Sequence, residues 1–354
     1  MNRYWIFIFS IVLGTSVNAQ LAKYSNEFLS LGIGARALGM GNAVVASVDD
    51  VDGTYWNPAA LQQIRDKVQF SLMHNEQFAG IVKHDFVSVA YRYDEKSVLG
   101  LSLIRAGVDD IPNTLNLFQN GQMDYSRISS FSAIDYALIG SYSRNPGIEH
   151  LSVGANVKII RRIIGNFASS WGFGFDIGAQ FQHNRFRYGV SLRDVTTTFN
   201  VWSFNFSEAE KEILRQTNNT VPGTSLELTV PKTVIGVSGK WEFFNKRLIL
   251  LPELNADITI DGERNVLIHN PYINLDPKAG LEVSYRNLIY LRGGFMNIQR
   301  QKTIDGREEY TAMPSVGAGV RINQFVVDYA LANPGSSSSL PYSNIISVKL
   351  GIRK

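Results

Sequence analysis

The chain has 354 residues, 34 Lys and Arg against 31 Asp and Glu, and no cysteine. A formal charge of +3 at pH 7 lacks the strong, clustered basic excess of a nucleic-acid binder. The missing cysteine excludes disulfides, thiolate chemistry and an amino-terminal lipid attachment site.

Residues 1–19 have the form of a secretory leader, with Arg3 as the basic start and Ala19 as the last residue removed. The apolar run from Ile6 to Val17 is shorter than the ~20 residues a helix needs to span a bilayer. No later run reaches that length, so a membrane location requires strands. Residues 20–61 are different again. Gly32, Gly34, Gly39 and Gly41 allow close backbone approach, Asp49, Asp50 and Asp52 form an acidic cluster, and Asn57-Pro58 ends the segment.

From Val68 onward the hydrophobic period is two. Trp171, Phe173, Phe175, Ile177, Ala179 and Phe181 share one face, with Gly172, Gly174, Asp176, Gly178 and Gln180 on the other. The same alternation places strands near 68–74, 83–93, 97–105, 133–144, 150–162, 171–183, 186–194, 231–242, 247–260, 276–286, 288–297, 313–322, 325–331 and 343–353. Alternate connections are brief, while those between are mostly longer, the longest being 106–132 and 195–230. Even strand number with short turns on one rim and long loops on the other is the signature of an all-β, 14-stranded antiparallel transmembrane barrel. A soluble sandwich has no reason to segregate its loops, and no repeat of propeller-blade length is present. Trp171, Tyr188, Trp241 and Tyr329 are candidates for interfacial girdles.

The polar strand face carries Lys158, Asp176, Lys240, Glu253, Asp257, Glu282, Arg321, Asp328 and Lys349 among small residues. Fourteen strands enclose more space than their own side chains fill, since about eight is the limit for that. The expected filling is residues 20–61, an amino-terminal plug preceding a barrel over 62–354. Arg36 inside such a barrel needs a carboxylate, with Glu253 and Glu282 as candidate partners. In the loop at 195–230, Ser207 and Glu210 predict a capped helix over 207–216.

The stretch FLSLGIGARALGMGNAVVASVDDVDGTYWNPAAL resembles the amino-terminal signature of the PorV/PorQ family, a branch of the FadL-like outer-membrane barrels. The resemblance rests on Gly34-Ala35-Arg36-Ala37, Gly39-Met40-Gly41, Asp49-Asp50 and Trp56-Asn57-Pro58-Ala59, and covers about thirty-five residues. It implies a fourteen-strand barrel with an amino-terminal hatch in a Bacteroidota-type outer membrane. It further implies a shuttle or accessory role in type IX secretion, with the translocon and carboxy-terminal signal domains of exported proteins as partners. The alternative is a FadL-like transporter of hydrophobic small molecules, whose apolar pocket would draw on Phe118, Phe199, Trp202, Phe204 and Phe206. For either role Phe199, Trp202, Phe204 and Phe206 are the candidate contact residues.

Nothing in the chain points to catalysis, a cofactor or a metal. The glycine-rich start has neither phosphate-loop spacing nor an alternating α/β context. The acidic cluster lacks the rest of a calcium loop and is expected to be an ion-paired turn. His74, His84, His150, His183 and His269 show no ligand spacing, and His74 and His84 are expected at a loop or rim.

Overall fold

The computed structural model describes residues 20–21, 25–119, 122–302, 307–333 and 342–353. The leader expected at 1–19 lies outside the described residues. Fourteen antiparallel strands close on themselves: β1 Val68–Gln77, β2 Val82–Arg92, β3 Ser97–Asn113, β4 Ser129–Arg144, β5 Leu151–Ile164 and β6 Ala168–His183. There follow β7, in two runs Phe186–Arg193 and Thr198–Phe204, and β8, in three runs Ser225–Thr229, Lys232–Gly239 and Trp241–Phe243. The circuit continues with β9 Leu248–Thr259, β10 Asn274–Tyr285, β11 Ile289–Lys302, β12 Glu308–Ile322, β13 Phe325–Ala332 and β14 Ser343–Ile352. Both runs of β7 pair with β6, so each is part of one barrel strand. β14 pairs with β1, Ile352 opposite Val68 and Ile346 opposite His74, which leaves no open edge.

Closure has a physical cause. Hydrocarbon offers the backbone no hydrogen-bond partner, so each strand must be paired on both sides. The side chains confirm the medium. Leu72, Val87, Leu101, Leu103, Phe173, Phe175 and Leu291 are exposed on the outside, while Ser71, Ser88, Ser102, Asn156, Asp176 and Asp328 are buried within. That inversion of the soluble pattern is what a bilayer selects. Among the described residues no helix is long and apolar enough to cross a membrane; the crossing is made by strands.

The expected alternation of short turns and longer loops holds for most connections, but those at 78–81 and 165–167 are as short as the turns of the opposite rim, because the strands run further than the sequence pattern suggested. β3 extends to Asn113 and β4 begins at Ser129, so the loop expected at 106–132 shrinks to 114–128. The loop expected at 195–230 is 205–224, because Thr198–Phe204 and Ser225–Thr229 continue the wall past a break. Asp194 and Thr197 adopt left-handed backbone (φ 56° and 63°), which interrupts the alternation and hid the continuation. His74 and His84 lie within β1 and β2, not in a loop; His84 is 1% exposed and faces inward, with Asn75 opposite it. Upward of the apolar band the outer face turns polar (His74, Glu76, Lys83, Asp85), so a hydrophobic period no longer marks the strands there.

The helix in the loop forms as Glu208–Gln216, with the Glu210 amide donating to Ser207 Oγ at 3.3 Å and the Ser207 amide to Glu210 Oε2 at 2.8 Å. Residues 25–64 run inside the barrel as short helical pieces, Glu27–Ser30, Ala35–Gly39, Gly53–Trp56 and Pro58–Gln63. The last piece ends two residues beyond the expected boundary at 61, and β1 starts at Val68.

Candidate functional site at the outer mouth of the barrel

The interior is organised by the needs of the amino-terminal segment. Helices of four to six residues leave most of their backbone groups without helical partners, and burial forbids leaving them unpaired. Inward side chains of the wall supply the partners. Ala46 and Ser47 amides donate to Glu253 at 2.8 and 2.9 Å, the Gly41 amide to Ser315 Oγ at 3.0 Å, and Asn156 Nδ2 to the Thr54 carbonyl at 2.9 Å. Asn57 Nδ2 donates to the carbonyls of Val45 and Ala179, both at 3.1 Å, and its Oδ1 accepts from the Ala59 amide at 3.2 Å. Pro58, with no amide to satisfy, opens the helix behind it and lies against Gly154 of the wall.

Of the two expected partners of Arg36, one is found. Arg36 Nε donates to Glu282 Oε2 at 3.0 Å, whereas Glu253 is occupied by the backbone of 46–47. Glu282 also accepts from Arg292 Nε at 2.7 Å, and Arg292 Nη1 reaches Asp328 at 2.7 Å. The acidic cluster is an ion-paired turn: Lys349 Nζ lies 2.6 Å from Asp52 and also against Asp50, while Asp49 stands 3.8 Å from Arg36. Gly39 and Gly41 do approach the wall. A Cβ on Gly41 would fall 2.7 Å from the Phe295 amide nitrogen, at a φ of +61° that itself disfavours a side chain. Gly32 and Gly34 serve differently, making room for the segment's own Asn42 and Asp52.

Above this segment, at the long-loop rim, an apolar pocket of about 350 Å³ is lined by Leu115, Phe131, Ile164, Phe167, Phe204 and Phe206 among others. Phe131 meets Phe167 edge-on at 5.3 Å, Phe167 stacks on Phe206 at 5.8 Å, and Phe206 stacks on Phe204 at 6.4 Å. Trp202 continues the stack below Phe204 at 6.4 Å. The sequence cluster is therefore split by strand parity. Trp202 and Phe204 point inward, with Phe206 joining their stack, but Phe199 faces outward, 41% exposed and 5.8 Å from Phe173 on the lipid side. The side chain of Phe118 lies outside the described residues.

Directly beneath the aromatic layer is a charged one that sequence analysis did not find. Arg162 Nε donates to Asp135 at 3.0 Å, its Nη1 stands 3.5 Å from Glu227, and its guanidinium lies 5.0 Å over the Trp202 ring. Trp202 Nε1 donates to Glu227 Oε2 at 2.6 Å. These residues come from β4, β5, β7 and β8, and only the cross-strand register, with Asp135 opposite Arg162, reveals that they meet. At the short-turn rim a second cavity of about 1030 Å³ opens below Arg36, Asp49 and Asp50, among wall residues including Arg187, Lys240 and Arg321. Of the expected girdle, Trp171, Tyr188 and Tyr329 face outward, and Trp241, opposite Leu250 of β9, packs edge-on against outward-facing Phe186 at 5.9 Å.

A closed barrel, apolar without and filled within, with an aromatic-lined pocket at one rim, defines a class: membrane-spanning β-barrels. No protein-family model matches the chain, and no curated protein matches its sequence. Solved structures do. The chain is similar to the CymD monoaromatic hydrocarbon channel (TM-score 0.58, 14% identity, 91% of this chain and 98% of that one). It is similar also to the Pseudomonas putida toluene transporter TodX (0.58, 14%, 90% and 98%) and to a Pseudomonas aeruginosa FadL homologue (0.52, 12%, 89% and 97%). At such identities the likeness establishes the fold.

Proposed function

We propose that the protein admits hydrophobic small molecules across a Gram-negative outer membrane, without catalysis, and that residues 25–64 act as its plug. The observation that carries this is the apolar pocket ringed by Phe131, Phe167, Phe204 and Phe206 at the long-loop rim of the barrel, on the inward face of the wall. Burial of an apolar molecule there releases water from its surface and from four aromatic rings. The neighbouring solved structures, named as hydrocarbon channels and toluene transporters, support the same reading. The test is entry of radiolabelled toluene into liposomes holding the purified protein. Faster entry than into protein-free liposomes supports the proposal, and equal rates overturn it.

A second reading, a cargo-binding role in type IX secretion of a Bacteroidota-type cell, draws on the motif at residues 34–59. The motif residues have intramolecular work. Arg36 pairs with Glu282, Asn57 ties the segment to β6, Asp50 binds Lys349, and Trp56 Nε1 donates to the Ile33 carbonyl at 3.0 Å. Such a motif accounts for a filled barrel without requiring secreted cargo. The feature that favours docking is the helix Glu208–Gln216, which has no buried residue. Capture of isolated carboxy-terminal signal domains by the immobilised protein would support this reading.

A further inference from the structure

We propose that the turns at 244–247 and 286–288 form a binding site for an anionic phospholipid, with Lys246, Arg247 and Arg286 on its phosphate and Phe244 and Leu288 among its acyl chains. The site needs only the membrane-spanning wall and is independent of the uptake reading. Short turns of such barrels face the periplasm, so the lipid belongs to the periplasmic leaflet. The basic character of the short-turn rim is confined to one arc. Residues 184–187, 239–247, 284–288 and 320–324, between β6 and β13, carry seven cations and one acid, Glu242. Across the barrel, 64–67, 92–96 and 144–150 carry five cations against four acids. Glu242 is already engaged, by Lys240 at 2.7 Å and Lys246 at 3.5 Å. Among the described residues, Arg247 and Arg286 make no ion pair.

The two turns meet. The Arg286 amide donates to the Arg247 carbonyl at 2.6 Å, which sets these residues side by side. The Arg286 guanidinium lies 5.4 Å over the ring of Tyr285, which is exposed on the outer face together with Ile289 and Leu291. The cations therefore stand at the edge of the apolar band, where the phosphates of a bilayer lie. Phe244 is 78% exposed and Leu288 50%. Phe244, Asn245 and Lys246 all adopt left-handed backbone (φ 51°, 55° and 65°), a run that residues with a Cβ disfavour. The turn thus presents a bare aromatic ring and a cation together, and acyl chains cover the one while a phosphate neutralises the other. Guanidinium groups match phosphate oxygens with paired donors. A zwitterionic lipid brings the same phosphate but its own ammonium alongside, which repels the cluster; hence the preference for a net negative headgroup. An acidic protein would match the cations but has no call on side chains that border the lipid face.

Native mass spectrometry of the purified full chain, titrated with dioleoylphosphatidylglycerol or dioleoylphosphatidylcholine, tests the site. The first phosphatidylglycerol is expected to bind about tenfold more tightly than the first phosphatidylcholine. The triple variant Lys246→Gln, Arg247→Gln, Arg286→Gln should bring the two affinities together. Lys67→Gln, Lys96→Gln, Arg144→Gln, which removes as many cations from the other arc, should keep the gap. Equal binding of the two lipids by the unmodified protein overturns the site, as does the same loss of preference in both triple variants. Displacement of bound phosphatidylglycerol by equimolar glycerol 1-phosphate would assign the cations to a free phosphate compound and overturn the lipid assignment.

Discussion

Replacing Glu282 with glutamine probes how the amino-terminal segment is held. Glu282 Oε2 is shared by Arg36 at 3.0 Å and Arg292 at 2.7 Å. The Arg36 and Glu282 side chains are 11% and 9% exposed, and that of Arg292 only 2%. Without the carboxylate, Arg292 keeps Asp328, but Arg36 is left with Asp49 at 3.8 Å, which is half exposed. Orphaning a buried guanidinium in this way costs about 3 kcal/mol, roughly a 150-fold shift in an unfolding equilibrium. Arg36→Ala is milder, about 1.5 kcal/mol, because Glu282 retains Arg292. Both are measured by urea unfolding in liposomes, followed by tryptophan fluorescence, and by chymotrypsin cleavage within residues 25–64, where Phe28, Tyr55 and Trp56 are sites in both variants. The order of effects is the diagnostic: Arg36→Ala matching or exceeding Glu282→Gln, or neither changing stability or cleavage, refutes the reasoning.

Asn57→Ala removes three hydrogen bonds from a fully buried position and is expected to cost about 3 kcal/mol; the same urea titration measures it. Gly41→Ala places a Cβ 2.7 Å from the Phe295 amide, and the strain is expected to release about 2 kcal/mol of stability, visible as cleavage at lower protease concentration. Phe204→Ala and Phe206→Ala should each weaken butylbenzene binding by about tenfold, whereas Phe199→Ala, on the lipid face, should leave it unchanged in the same titration.

Much of the barrel was legible because a bilayer enforces a simple rule. On β6, Trp171 to Phe181 alternate with Gly172 to Gln180 without error, and the wall follows them. The pattern faded where the strand leaves the apolar band, which is why β3 and β4 run past their expected ends. The break at 194–197 also concealed the upper half of β7, since a local φ reversal leaves no hydrophobic trace. Phe199 was separable in principle: an odd position on a strand whose even positions, Thr198, Asn200 and Trp202, are buried. The sharing of Glu282 was within reach of charge reasoning, but the commitment of Glu253 to backbone amides was not. It depends on the segment passing within hydrogen-bond distance at 46–47. The Asp135–Arg162–Glu227 layer was beyond reach for a related reason, as its members stand 27 and 65 residues apart and meet only through register.

The central claim is that lipid surrounds the wall while the amino-terminal segment lies sealed inside it. Trp171 stands 53% exposed on the outer face, and Trp56 is 5% exposed within. Two single-tryptophan proteins, one keeping Trp171 and the other Trp56, reconstituted into bilayers with brominated acyl chains, separate the two environments. The account predicts strong quenching of Trp171 and little of Trp56; equal quenching of both, or quenching of Trp56 alone, would contradict it.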